Sequence, residues 1–168
     1  ATRAVTTADI DLDGDLDIAF GNNGQSTRVY ENKGTGVLDP VWQTYDATAN
    51  VRDVAFGDLN GDGFVDLVAA SHSGVNRIYS NSHDGTFVEV WRSFWSEDTQ
   101  SVSLTDVDSD GDLDVSFASS GSYGTIIVLR NDGSYHFSIM WRYGPKSNCG
   151  SGVCYSRDAN ISTWDDTN

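Results

Sequence analysis

One nine-residue loop occurs three times in this chain and limits the folds open to it more than any other feature. Asp9, Asp11, Asp13, Gly14, Asp15 and Asp17 carry the first copy. Asp58, Asn60, Asp62, Gly63, Phe64 and Asp66 carry the second, and Asp106, Asp108, Asp110, Gly111, Asp112 and Asp114 the third. The copies start 49 and 48 residues apart. Oxygen-bearing side chains stand at loop positions 1, 3, 5 and 9, and the glycine at position 6 admits the sharp turn that converges them on one point. A hard cation that takes six to eight oxygen ligands satisfies such a cluster. The spacing therefore predicts three calcium (Ca2+) sites in a repeat protein.

The self-similarity extends past the acids. Val5, Val54 and Val102 each stand four residues before the first loop aspartate. Behind each loop comes a short run of β-type residues: Leu16 to Phe20, Val65 to Ala69, and Leu113 to Phe117. Clusters of Gly, Ser and Asn then turn the chain. Third strands are expected at Arg28 to Tyr30, Arg77 to Tyr79 and Ile126 to Leu129, and fourth strands carry Trp42, Trp91 and Trp141. No stretch keeps a 3.6-residue apolar period over helical length, so helix is expected to be close to nil. A repeat of about 48 residues with four strands has the length of a propeller blade. The reading is an all-β, β-propeller-type array of four-stranded antiparallel blades, with three complete blades and the start of a fourth. A single domain of residues 1–168 is expected, with blades at about 1–47, 48–97 and 98–145 and a partial repeat at 146–168.

That partial repeat starts like the others and then departs from them. Cys154 takes the place of the earlier valines, and Asp158, Asn160, Ser162 and Asp166 keep oxygen atoms at positions 1, 3, 5 and 9. Position 6 is Thr163 where the other loops have glycine, which puts a fourth calcium site in doubt. Closed propellers need about four to eight blades. The count predicts either a longer natural chain or completion of the sheet edges by other subunits, since an unpaired edge invites association.

Charge and cysteine usage narrow the function. The formal net charge is -15, yet thirteen of the 25 acidic residues lie in the three loops and the other twelve nearly balance ten Lys and Arg. The acidity is thus mostly local ligand charge, and without metal it would repel itself. Ten scattered cations offer no basic stripe, so nucleic acid is not an expected partner. Apolar runs are far shorter than the roughly 20 residues that span a bilayer, so no membrane insertion is expected. Before Ala1 there is no signal-like segment; either one was removed or none existed. Cys149 and Cys154 flank a Gly-rich loop, where a local disulfide is the expectation and two unpaired thiols the alternative.

An EF-hand also opens with alternating acids and a glycine. It requires a bidentate glutamate at position 12, where this chain has Phe20, Ala69 and Phe117, and flanking helices that this sequence lacks. A calcium loop joining two β-strands remains. In that pattern the chain resembles the FG-GAP/VCBS repeat family, the calcium-loop blades also found in integrin alpha-subunit propellers. The resemblance covers residues 4 to 166, and Phe56-Gly57 keeps the Phe-Gly element that the other copies replace by Thr7-Ala8 and Leu104-Thr105. It implies side-chain ligands at positions 1, 3, 5 and 9 and a main-chain carbonyl at position 7, here Asp15, Phe64 and Asp112. Position 7 side chains would then point outward. Calcium in such proteins is structural.

Two functions follow as expectations. The first is a non-enzymatic extracellular or cell-surface module for recognition or adhesion, with a glycan or extracellular protein as ligand. Trp95, Tyr123 and Tyr143 are candidate ligand-facing aromatics, whereas the recurring Trp42, Trp91 and Trp141 are expected in the core. The second is a structural protomer of an extracellular fibre or surface assembly, self-associating through blade edges. His72, His83 and His136 lie in or beside turns with no nucleophile and acid around them, so no catalytic site is expected. Asn160-Ile161-Ser162 is a formal glycosylation triplet.

Overall fold

The computed structural model describes residues 1–94, 96, 98–120 and 124–143. Twelve strands and no helix occur among them. The first sheet is β1 (Thr2–Ala8), β2 (Asp17–Asn22), β3 (Arg28–Asn32) and β4 (Leu38–Gln43). The second is β5 (Val51–Gly57), β6 (Asp66–Ser71), β7 (Arg77–Asn81) and β8 (Phe87–Arg92), and the third β9 (Thr99–Thr105), β10 (Asp114–Ser119), β11 (Thr125–Arg130) and β12 (Ser138–Tyr143). Each is an antiparallel meander in sequence order, so the four-stranded repeat expected from the sequence is what forms. The acidic loop joins the first and second strands of every sheet. The turn between the third and fourth strands lies at that same end.

The sheets stack, with β1 beside β5 and β5 beside β9. Side-chain alternation shows how. All six residues of β6 are buried. Leu67 and Ala69 join Ile10, Ala19 and Val29 in one core cluster, while Val68 and Ala70 join Val115, Phe117 and Ile127 in another. Because successive side chains point to opposite faces of a strand, the middle sheet is packed on both sides and reads as a continuous apolar run.

The recurring tryptophans knit these interfaces. Trp42 meets Tyr79 and Phe87 of the second sheet edge-on, with ring centroids 5.0 and 5.4 Å away. One repeat later, Trp91 meets Phe117 and Phe137 of the third sheet at 6.3 and 5.8 Å. Core packing, the expectation for both, is observed. Trp141 instead stacks on Tyr143 of its own strand.

Gly57 shows why the Phe-Gly element survives in the second repeat. A Cβ at this position would lie 2.6 Å from Leu104 Cδ1 in the third sheet and 3.1 Å from Leu113 Cδ1 in the loop before β10. A larger residue there must push these leucine side chains aside.

The three equivalent valines do not share one environment. Val54 and Val102 are 5 % and 8 % exposed, each between two sheets, whereas Val5 is 62 % exposed. Among the described residues sheet 1 has a neighbour on one face only, and Val5 lies outside that interface. The partial repeat at 146–168, the Cys149 and Cys154 pair, the loop of Asp158, Asn160, Ser162 and Asp166, and the aromatics Trp95 and Tyr123 lie outside the described residues.

Candidate metal centres

The three loops fold alike because the same carboxylates hold the same backbone groups. At position 1 the aspartate accepts the position 6 glycine N–H: Gly14 to Asp9 at 3.0 Å, Gly63 to Asp58 at 2.8 Å, and Gly111 to Asp106 at 3.1 Å. At position 5 the acid accepts the position 7 N–H, as in Asp15 to Asp13 at 2.9 Å. Each glycine has positive φ, between 89° and 102°. Position 4 is also left-handed, with Leu12, Gly61 and Ser109 at φ of 64°, 72° and 64°. That second left-handed position was not legible from the acidic pattern, since leucine and serine carry no such signal.

The position 9 aspartates are the most deeply placed. Asp17, Asp66 and Asp114 are at most 1 % exposed. Their Oδ2 atoms accept the position 2 N–H within the loop, from Ile10 at 2.8 Å, Leu59 at 3.0 Å and Val107 at 2.8 Å. Their Oδ1 atoms accept the N–H of the asparagine that ends the third strand: Asn32 at 2.7 Å, Asn81 at 3.0 Å and Asn131 at 2.9 Å. Burial pushes the carboxyls of Asp17 and Asp66 above the ordinary range, and these N–H donors only partly counter it.

Two of these asparagines, Asn81 and Asn131, bridge one repeat to the one before. Asn81 Nδ2 donates to Ile10 O of the first loop at 2.8 Å and to Val65 O of its own loop at 3.1 Å. Asn131 repeats the contact with Leu59 O at 2.6 Å and Leu113 O at 3.1 Å. A continuous hydrogen-bonded chain therefore runs from Asp17 through Ile10, Asn81, Asp66, Leu59 and Asn131 to Asp114, across all three sheets. Tyr135 of the third repeat adds a hydroxyl that donates to Asp66 Oδ1 at 2.8 Å.

In their centres the loops differ. Asp9, Asp11 and Asp13 each offer an oxygen within 4.8 Å of the others, and so do Asp106, Asp108 and Asp114. The second loop, with Asn60 at position 3, brings no three carboxylates that close among the described residues. There His83 Nε2 lies 2.9 Å from Asp62 Oδ2, and the His83 ring stacks on Phe64 with centroids 4.1 Å apart. Burial raises the Asp62 carboxyl, but His83, Asn60 and the Phe64 N–H outweigh it and hold the group below the usual range.

In the third loop the Arg130 guanidinium reaches Asp108 Oδ2 with Nε at 2.7 Å and Asp110 Oδ2 with a terminal nitrogen at 3.2 Å. The Asp112 N–H and then Arg130 hold Asp110 below the ordinary range. Asp112 is raised by desolvation and by its acidic neighbours, Asp110 and Asp106 first.

The position 7 side chains were expected to point outward. Each leaves the loop centre and lies over the turn between the third and fourth strands. Phe64 covers His83, and the carboxylates of Asp15 and Asp112 come so close to Gly34 and Gly133 that a Cβ there would sit 2.5 and 2.7 Å from an oxygen.

The donor chemistry fits a hard divalent cation. Among the described residues the converging groups are carboxylates, with no sulfur or imidazole pair among them to favour a softer metal. A guanidinium already standing between two third-loop carboxylates marks a place where positive charge is favoured. Fold and loops together define a class: an all-β repeat protein whose every sheet carries an acidic loop between its first two strands. The FG-GAP-like repeat family matches residues 9–69 and 58–117, and the chain belongs to that family. No curated protein matches the chain.

Proposed function

We propose that this chain is a non-enzymatic module of β-propeller type, extracellular or at a cell surface, in which Ca2+ stiffens a scaffold that recognises a glycan or an extracellular protein. Its blades correspond to residues 1–47, 48–97 and 98–145, with 146–168 beginning a fourth. Ligands in the first site would be Asp9, Asp11, Asp13, Asp17 and the Asp15 carbonyl, with the equivalent residues in the other two. The metal supplies charge neutralisation that ties each loop shut, and no reaction step is assigned to it.

One observation carries the recognition reading. Along β4 and the connection after it runs a groove bordered by Arg28, Tyr30, Pro40, Trp42, Gln43 and Tyr45. Tyr45 is fully exposed, and in the next repeat Phe94, also directly after the fourth strand, is 80 % exposed. Flat aromatic faces beside a guanidinium and an amide form the chemistry that grips a sugar ring or a peptide. These residues lie away from the acidic loops, so ligand binding and metal binding use separate surfaces. The test is a glycan array and a panel of extracellular matrix proteins probed with calcium and with chelator. Calcium-dependent binding that Tyr45→Ala abolishes is expected, and no binding under either condition would refute the reading.

A second reading rests on the outer face of the first sheet. Phe20 and Tyr30, in edge-to-face contact at 5.8 Å, occupy positions whose counterparts Ala69 and Tyr79 are packed against another sheet. A copy of this chain covering that face would make it a protomer of a fibre or surface assembly. Light scattering in calcium distinguishes the two, because a monomer at all concentrations removes the assembly reading.

A further inference from the structure

We infer that Arg130 is a built-in competitor for the cation of the third loop, and that it lowers this loop's affinity for calcium. The inference rests on the calcium reading above and concerns one residue that the repeat does not explain. Arg130 immediately precedes Asn131, and its counterparts before Asn32 and Asn81 are Glu31 and Ser80. The three loops thus share a ligand pattern, but the residue at this one position is an anion, a neutral hydroxyl and a cation in turn.

Those side chains behave differently toward the loops. Glu31 pairs with Lys33 at 3.3 Å, which keeps the nearest lysine in sequence off the first loop. The Ser80 hydroxyl donates to the Tyr135 oxygen at 2.8 Å, while the Tyr135 proton goes to Asp66. Of these three side chains only Arg130 reaches into its loop, and it binds the oxygens of positions 3 and 5, whereas in the second loop His83 meets only the position 5 oxygen of Asp62. Both residues are expected ligands. A divalent ion entering the loop must displace the guanidinium from Asp108 and Asp110, or bind beside it against like-charge repulsion. Meanwhile the guanidinium offsets the mutual repulsion of Asp106, Asp108, Asp110, Asp112 and Asp114 when no metal is bound. Its role is to hold the loop closed at low calcium, at the expense of affinity.

An exposed ion pair shifts an equilibrium constant by up to roughly fivefold. Removing the charge should tighten the third site by about that factor. The amides of Gly14, Gly63 and Gly111 each report one loop, so a calcium titration followed by two-dimensional amide NMR on the full chain resolves the sites. The Gly111 midpoint reads the third site. Arg130→Gln should lower that midpoint about fivefold with Gly14 unmoved, and Arg130→Lys should fall between, keeping the charge without the fork. An unchanged midpoint, equal movement of Gly14, or a weakened third site, which would make Arg130 an organiser of the loop, overturns the inference while leaving the calcium reading intact. If none of the three glycines responds to calcium, that reading fails and takes this inference with it.

Discussion

Asn81 gives the sharpest test of how the repeats are held together. Replacing it by alanine removes the amide that donates to Ile10 O at 2.8 Å and to Val65 O at 3.1 Å, the first in a buried setting and the second half-buried. A buried carbonyl left without a donor costs about 1–3 kcal/mol, so one buried and one half-buried carbonyl together predict a loss of about 2–4 kcal/mol. Asn32 is the internal control. It holds Asp17 with its backbone N–H, as Asn81 holds Asp66, but its amide reaches only Leu16 O at 3.3 Å in an exposed setting. Asn32→Ala should therefore cost less than about 1 kcal/mol. Both asparagines also accept a turn N–H through Oδ1, so that contribution cancels in the comparison. Urea unfolding followed by tryptophan fluorescence at fixed calcium measures both variants. With a slope of about 2 kcal/mol/M, Asn81→Ala should lower the midpoint by roughly 1–2 M. Equal shifts for the two variants, at unchanged slope, would refute the inter-repeat bridge as a source of stability.

Three further outcomes are expected. In metal-free buffer, the raised carboxyls of Asp17 and Asp66 bind protons more readily in the folded chain than in the unfolded one. Stability from these groups therefore grows as pH falls from neutrality through their raised values. Asp46 has the opposite sign: the Thr48 hydroxyl and N–H, with Arg77 at 3.2 Å, hold its carboxyl low, so its contribution is lost as pH falls below about 4. A metal-free melting temperature that declines steadily from pH 7 downward would contradict this. Saturating calcium should raise the melting temperature and suppress the acid-side gain; scanning calorimetry should show about 1.4 kcal/mol per site for each tenfold excess over the dissociation constant, and none with magnesium-free chelator. Gly57→Ala should destabilise by about 1–3 kcal/mol, because the new Cβ must displace Leu104 and Leu113, and a thermal shift of zero would show that the third sheet yields freely.

Much of this architecture was legible in the residues. The loop spacing marked the junction between first and second strands in every repeat, and the recurring Trp42 and Trp91 marked the packed faces. Asn32, Asn81 and Asn131 recur just as regularly, yet as turn residues they gave no sign that two of them reach back to the preceding loop. That contact depends on how sheets stack, and local sequence carries no such information. His83 and Arg130 were equally hidden, since they lie about twenty residues from the acids they meet. Leu12 at φ of 64° shows a further limit: the fold imposes a left-handed backbone on a residue that does not ask for one.

The chain's own sequence determined the repeat, the four-stranded meander and the concentration of oxygen donors, because each depends on local periodicity and on turns a few residues long. Tertiary structure decided which equivalent residues are equivalent in fact. Val5 is exposed where Val54 and Val102 are buried, the position 9 aspartates are sealed by donors from a distant turn, and like loops acquire different neighbours, His83 at Asp62 and Arg130 at Asp108 and Asp110. The physical reason is that burial and electrostatic environment belong to the surfaces that meet, and a repeating sequence meets a different surface at each copy.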